Sequence, residues 1–330
     1  MAFSTPTPTR SVTKEIVSEM GTFIRIYSDG SLERPLQTPF APPMLEDPHT
    51  GLSSKDVTIS HNPPISARLY LPKLTNQTDK LPVLVYFHGG AFLIESAFSQ
   101  LYHNLFKTFV PQANVVVVSV EYRLAPEHPL PACYHDCWNA LQWVSSHATN
   151  DPTNGDPWLL HHADFNRVFI GGDSAGGNIA HNIAMRAGTE ALPGDVKKLG
   201  AILCHPAFHS SYQVGSEPDI EPEQRLNHKV WNLAYPSAPG GVDNPLFNPV
   251  APGAPSLARL GCSRILLCIA GKDPFRDRGV WYYESVNKSG WKGKLELFEE
   301  TDEGHVYHLL NPQSENSKKL FHRLVSFLQE

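Results

Sequence analysis

The 330-residue sequence predicts an α/β fold, a mostly parallel central sheet flanked by helices on both faces. Three observations carry that expectation. From Leu81 onward, short β-branched apolar runs alternate with longer stretches of helical periodicity, the rhythm of strand and crossover helix. The runs at 83–87, 115–120 and 168–170 are apolar with almost no alternation, as strands buried on both faces must be. At 168–181 an apolar run meets Gly172-Asp173-Ser174-Ala175-Gly176 and passes at once into a helical pattern carrying Ile179, Ile183 and Met185. That is strand, sharp turn, helix.

Taken in order, residues 22–27 read as a short strand that ends in the turn Ser28-Asp29-Gly30, and 35–48 as a Pro-rich irregular arm. The runs 57–60 and 65–71, joined across Asn62-Pro63-Pro64, give the sheet an antiparallel opening. The alternation then runs strand 83–87, helix 99–109, strand 115–120, helix 132–147, the strand at 168, its helix 178–186, and strand 201–204. Residues 208–262 are too long for a plain crossover and are rich in Pro, Gly and aromatics. Together with an N-terminal arm over 1–50, they are expected to cap the carboxyl end of the sheet. A strand at 265–270, a helix at 278–289, a strand at 294–298 and an amphipathic helix with Leu320, Leu324, Phe327 and Leu328 complete one domain over 1–330. There are no internal repeats.

Composition narrows the function. With 27 basic and 33 acidic residues, a net charge of -6 and no basic run, nucleic acid and anionic membrane surfaces are excluded as expected partners, leaving a small molecule. Cys133, Cys137, Cys204, Cys262 and Cys268 show neither zinc spacing nor an even disulfide count, so reduced thiols are expected. The segment Met1 to Arg10 is short and Ser/Thr/Pro-rich, and reads as a frayed tail, not an address. No apolar stretch approaches the ~20 residues of a membrane helix. A cytoplasmic location is expected, while no feature speaks to the oligomeric state.

The chemistry centres on Ser174. Gly172 and Gly176 flank it where a side chain would clash as the chain reverses, so the turn can hold the hydroxyl exposed at the sheet edge. A plain glycine-rich turn would look the same, so the partners decide. A serine hydroxyl is a poor nucleophile at neutral pH and needs a base, itself held by a carboxylate. The order serine, acid, histidine requires the last two on loops after late strands. Asp273 follows the strand at 265–270 directly, and His305 follows the strand at 294–298. Asp277 lies four residues beyond Asp273, where the next helix begins, and is expected to cap that helix or pair with Arg276 or Arg278. His88-Gly89-Gly90 follows the strand at 83–87, so the N–H groups of Gly89 and Gly90 can join that of Ala175 on an oxyanion. The sixteen histidines are scattered without metal spacing, and the chemistry needs neither metal nor organic cofactor.

These motifs together resemble a known family. His88-Gly89-Gly90, Tyr122-Arg123-Leu124-Ala125-Pro126-Glu127-His128-Pro129 and Gly172-Asp173-Ser174-Ala175-Gly176-Gly177-Asn178 resemble the hormone-sensitive-lipase branch of the α/β-hydrolases. More narrowly, Asp47-Pro48-His49-Thr50-Gly51, Ile65-Ser66-Ala67-Arg68, Asp243-Asn244-Pro245 and Ser289-Gly290-Trp291-Lys292-Gly293 resemble plant carboxylesterases and 2-hydroxyisoflavanone dehydratases. The similarity runs from about Glu15 to the C-terminus. It implies the α/β-hydrolase fold with a cap, and the triad Ser174, Asp273 and His305.

Three activities stay open under it. The first is a serine carboxylesterase acting on small or aromatic acyl esters of plant-type metabolites. The second is a dehydratase-like lyase with a flavonoid-like substrate; such relatives tend to carry Thr at the position of Ser174 and Ala at that of Gly177, so the signature here is the esterase form. The third is a hormone-receptor-like binder, in which the triad histidine is lost, whereas His305 is present. Pocket walls are expected from Phe92, Leu93, Phe208, Trp231, Tyr235, Val306 and Tyr307, each of which also suits ordinary core or cap packing.

Overall fold

In a computed structural model, which describes residues 14–330 apart from 77, 150–154, 197–198 and 222–223, the chain opens with a small antiparallel sheet. Its strands are β1 (Ile16–Met20), β2 (Ile24–Tyr27) and β3 (Leu32–Glu33). The expected strand at 22–27 starts later because the chain turns at Gly21, whose φ of 51° suits glycine, and pairs back on an unforeseen β1. The stretch from Met1 to Arg10 lies outside the described residues.

The main sheet is built from β4 (Ser53–His61), β5 (Pro64–Leu71), β6 (Leu81–Phe87), β7 (Val116–Glu121), β8 (Ala163–Asp173), β9 (Leu199–Cys204), β10 (Arg264–Ala270) and β11 (Lys294–Glu300). Its order is β11-β10-β9-β8-β6-β7-β5-β4. Pairings from β11 to β7 are all parallel; β5 joins antiparallel to β4, the hairpin expected across Asn62-Pro63-Pro64, and is antiparallel to β7 as well.

The helices are α1 (Gln100–Ala113), α2 (Ala132–Ser146), α3 (Pro157–His162), α4 (Ala175–Ala187), α5 (Leu226–Ala234), α6 (Arg276–Lys288), α7 (Tyr307–Leu310) and α8 (Glu315–Gln329). Successive side chains of a strand face opposite ways, and β6 shows what that does here. Val83, Val85 and Phe87 enter a core shared with Ile179 of α4, Leu141 of α2 and Tyr282 of α6. Leu84 and Tyr86 enter a second core with Phe106 of α1 and Phe321 of α8. Both faces of the sheet are therefore covered by helices, which is why its central strands carry no polar alternation.

Three helices were not foreseen, among them the short α7, which starts two residues after His305. Asp156 caps α3 by accepting the Trp158 N–H, with Pro157 in the first turn. α5 lies inside the Pro- and Gly-rich segment and buries Val230, Trp231 and Ala234. β8 begins at Ala163, earlier than its apolar run, because Ala163 still pairs with Leu81 of β6. All five cysteines are free and buried, and burial pushes the Cys133 and Cys137 thiols well above their ordinary pKa.

The core also holds neutral histidines. Burial lowers the pKa of His88 to about 4, and of His181 and His308 to about 3. These folded values lie below the unfolded one, so below about pH 6.5 the unfolded chain binds more protons and stability falls as pH falls. Each such histidine contributes up to about 1.4 kcal/mol per pH unit. Asp173 and Glu121, raised by burial to about 6 and about 7, act with the opposite sign, since their folded forms bind the proton more tightly. The three histidines outnumber these two carboxyls. Urea midpoints at pH 7.5 and pH 5.5 are expected to differ clearly, the lower at pH 5.5; equal midpoints would contradict the burial of neutral rings.

Candidate active site

Parallel strands end at one edge, so the loops after β6, β8, β9, β10 and β11 gather there. Ser174 sits between β8 and α4 at φ 53° and ψ -115°, a conformation few non-glycine residues adopt. The turn is held on both sides: Ser174 N–H donates to Cys204 O at 2.9 Å, and Ser174 O accepts from Ala207 N–H at 3.0 Å. A Cβ on Gly176 would overlap the Phe87 carbonyl, and one on Gly172 would meet both that carbonyl and Gly176. The two glycines let the elbow press against β6.

His305 stands after β11, with Nε2 2.9 Å from Ser174 Oγ and Nδ1 2.8 Å from Asp273 Oδ2. Asp273 is buried in the turn after β10, where Oδ1 accepts the Phe275 N–H at 2.8 Å. The carboxylate so oriented accepts from His305 Nδ1–H, which leaves Nε2 as the acceptor for the serine proton. Asp277 is turned elsewhere. Its Oδ2 accepts from Ser216 N and Oγ at 2.5 and 2.7 Å, and its Oδ1 from Arg276 Nη1 at 3.0 Å. The expected pairing with Arg276 is therefore present, whereas Arg278 reaches Glu217 instead. The expected helix cap is absent, because α6 starts at Arg276 and places Asp277 inside its first turn.

The loop after β6 departs from expectation at one residue. Gly89 N–H already donates to Tyr102 Oη at 2.6 Å, so it is not free to meet an oxyanion. Tyr102 Oη in turn donates to Asp173, 3.0 Å from both oxygens, and Tyr86 Oη donates to Oδ1 at 2.8 Å. The position of Gly89 is fixed by that network, and a Cβ there would collide with the Asp173 carboxylate. The next two residues turn sharply, Gly90 at φ 102° and Ala91 at φ 58°. Among the described residues the N–H groups of Gly90, Ala91 and Ala175 donate to no protein acceptor. These three, with Ala91 in place of Gly89, are the available donors.

An elbow serine after β8, an acid after β10 and a histidine after β11 occur in the chain order expected of one fold. Sequence comparison decides it, for residues 84–309 match the family described as the alpha/beta hydrolase fold. The chain belongs to the alpha/beta hydrolases. Within them it is 56% identical to a 2-hydroxyisoflavanone dehydratase of Glycyrrhiza echinata over 330 residues, covering 99% of this chain and 100% of that protein. It is 43% identical to a probable carboxylesterase 4, mitochondrial, of Arabidopsis thaliana, covering 98% of this chain and 88% of that one. A hyperthermophilic esterase from Pyrobaculum calidifontis superposes with a TM-score of 0.66 at 26% identity, over 86% of each chain.

The residues expected to wall a pocket in this chain divide into two groups. Phe208 is fully buried, stacked on Tyr282 at 4.7 Å and edge-on to His181, so it packs between α4 and α6. Trp231 is also fully buried, stacked on Phe247 at 4.5 Å with its Nε1–H donated to Gly241 O. Phe92 lies edge-on to Trp231, Leu93 is inaccessible, and Tyr307 packs against His205. Tyr235 and Val306 alone of the seven keep appreciable surface. A cavity of about 360 Å³ between α4 and residues 245–259 includes His181, Arg186 and Arg259 but none of Ser174, Asp273 and His305.

Three more side chains touch this machinery. Phe275 lies 5.2 Å from the His305 ring, Tyr102 links Asp173 to Gly89, and His205 meets the residue after His305. His205 follows a β-run at the carboxyl edge of the sheet, a placement that could have singled it out. Tyr102, inside a helix, carries no such signal. One ligand atom each of His205, Asp273 and His305 lie within 4.8 Å of one another. This trio does not suit a metal: His205 Nδ1 accepts the Val306 N–H, which puts its proton on Nε2, and the His305 nitrogens already face Asp273 and Ser174.

Proposed function

We propose that the chain is a serine carboxylesterase that hydrolyses small or aromatic acyl esters of plant-type metabolites through an acyl-enzyme. The observation that carries this is the continuous chain Ser174 Oγ, His305 Nε2, His305 Nδ1, Asp273 Oδ2, with links of 2.9 and 2.8 Å. Ser174 Oγ adds to the ester carbonyl as His305 takes its proton, and Asp273 stabilises the imidazolium. The N–H groups of Gly90, Ala91 and Ala175 receive the oxyanion. His305 returns the proton to the leaving alkoxide. Water, activated by the same ring, then releases the acid and restores Ser174. In this reading the N-terminal arm and residues 208–262 serve as the cap, no metal or cofactor takes part, and the protein works in the cytoplasm. Among the described residues no helix is long and apolar enough to cross a membrane.

A second reading is supported by the 56% identity to a dehydratase along the whole chain. In it His305 removes the ring proton beside the carbonyl of a 2-hydroxyisoflavanone, and the same N–H groups hold the carbonyl oxygen. The protonated His305 returns that proton to the 2-hydroxyl, which leaves as water as the ring double bond forms. Serine at 174 and glycine at 177 favour hydrolysis. One experiment separates the two: p-nitrophenyl butyrate and a 2-hydroxyisoflavanone offered in parallel to the purified chain, with chromatographic product analysis. Ester turnover is expected to exceed isoflavone formation by at least about tenfold, a difference of about 1.4 kcal/mol in barrier. Isoflavone formed at the faster rate would replace the esterase reading with the lyase.

A further inference from the structure

We propose that His205 is a positioning residue for the base: by accepting the Val306 N–H at Nδ1, it fixes the peptide that carries His305 and so holds the imidazole against Ser174 and Asp273. The inference rests on reading these three residues as the reacting set.

The need for such a tie follows from the sheet order. Ser174 hangs from β8, whereas His305 hangs from β11 at the sheet edge, with β10 and β9 between them. The loop is tied near its start, where Glu300 O and Glu303 O accept from Gly271 N–H at 2.9 Å and Lys272 N–H at 2.8 Å, but those ties end two residues before His305. His205 stands at the end of β9, between the two. Its own N–H donates to Cys268 O of β10 at 2.8 Å, and its Nδ1 accepts from Val306 N at 2.9 Å. The residues around it also grip the nucleophile, since Cys204 O and Ala207 N bond the two backbone groups of Ser174. Residues 204–207 therefore bind the backbone of the serine on one side and of the base loop on the other.

Backbone conformation points the same way. Ser174, His205 and Val306 all lie in the left-handed region, at φ 53°, 46° and 49°. For a β-branched residue such as Val306 this is an outlier, kept only where the surroundings over-determine it. The bond to His205 holds the N–H side of Val306 one residue beyond His305, while its carbonyl accepts from Leu309 N–H at 2.9 Å.

Nδ1 makes the ring's polar contact, while Nε2 is buried with no hydrogen-bond partner among the described residues. His205 is 1% exposed and packed among His305, Tyr307 and His308 at centroid distances of 5.9, 5.6 and 5.5 Å. An acceptor at Nδ1 requires the neutral form with its proton on Nε2. Burial, reinforced by His308 and His305, keeps the ring neutral by lowering its pKa well below the ordinary range.

The test compares two replacements in the full chain. His205→Asn places a carbonyl oxygen near the site of Nδ1 and keeps an acceptor; His205→Phe keeps the ring volume and removes it. Four quantities are read: the rate at which a fluorophosphonate labels Ser174, kcat and KM for p-nitrophenyl butyrate, and the melting temperature. For His205→Phe the labelling rate and kcat are expected to fall about 10²-fold, the cost of a small misplacement of a reacting group, with KM within about threefold. His205→Asn is expected to stay within about fivefold of wild type on all three kinetic measures, despite its smaller volume. A folded His205→Phe that labels at the wild-type rate overturns the inference, as does an Asn variant as slow as the Phe variant. If wild-type Ser174 does not label at all, the reading of the reacting set fails first. Should His205→Phe not fold, amide exchange in the wild-type chain decides: Val306 N–H is expected to exchange at least about 10²-fold slower than in a free peptide, and unprotected exchange overturns the proposal.

Discussion

Replacing Ser174 with alanine is expected to lower turnover of p-nitrophenyl butyrate by about 10⁵- to 10⁶-fold, with the fold and melting temperature retained. The size of the loss follows from the geometry. Among the described residues His305 Nε2 has one partner, Ser174 Oγ at 2.9 Å, and without it the ring can only activate water that no covalent step has prepared. The small residual rate would come from the Gly90, Ala91 and Ala175 donors, which polarise a bound carbonyl unaided. Stability should hardly change, because the elbow is fixed by backbone bonds to Cys204 and Ala207 and not by the hydroxyl. Stopped-flow or end-point release of p-nitrophenolate measures this directly. Turnover within tenfold of wild type would remove Ser174 from the chemistry.

The second large effect separates two neighbouring carboxylates. Asp273→Asn is expected to cost about 10⁴-fold in kcat, because an amide facing His305 Nδ1 favours the tautomer whose Nε2 carries hydrogen and cannot accept the serine proton. Asp277→Asn should leave kcat within about threefold, since Asp277 bonds Ser216 and Arg276 and does not touch the histidine. Its penalty is expected to fall on stability, through weaker charge-assisted bonds between the 210–217 segment and α6. Parallel kinetics and thermal melts of the two variants check both halves. A crippled Asp277→Asn beside an active Asp273→Asn would reverse the assignment of the acid.

Much of this was legible in the residues. β6, β7, β8 and β10 could be read because unbroken apolar runs have few other uses at that length, and the carboxyl-edge rule then located Ser174, Asp273 and His305. α5 was missed although Leu226, Val230, Trp231 and Ala234 keep helical spacing, because Pro and Gly on both sides suggested irregular chain. The wrong oxyanion donor has a different origin. Gly89 and Gly90 are chemically alike, and what distinguishes them is Tyr102, a side chain 13 residues on in α1 that accepts the N–H of Gly89 and not that of Gly90. Likewise Val306 and His205 are 101 positions apart, and no local pattern encodes a bond of that span. Sequence periodicity reports burial and secondary structure; it is silent on which of several equivalent N–H groups finds an acceptor in the folded chain.

The place of β11 at the sheet edge has a consequence for how the protein wears out. Among the described residues β11 pairs with β10 alone and is only partly buried, so it is among the parts of the sheet that open at least cost in free energy. His305 is tethered to its end, while Ser174 rests on the fully enclosed centre. Warming should therefore separate base from nucleophile while most of the sheet is still intact. Heat inactivation would then set in below the melting transition, and a partly frayed molecule would retain its bulk structure with its serine unarmed.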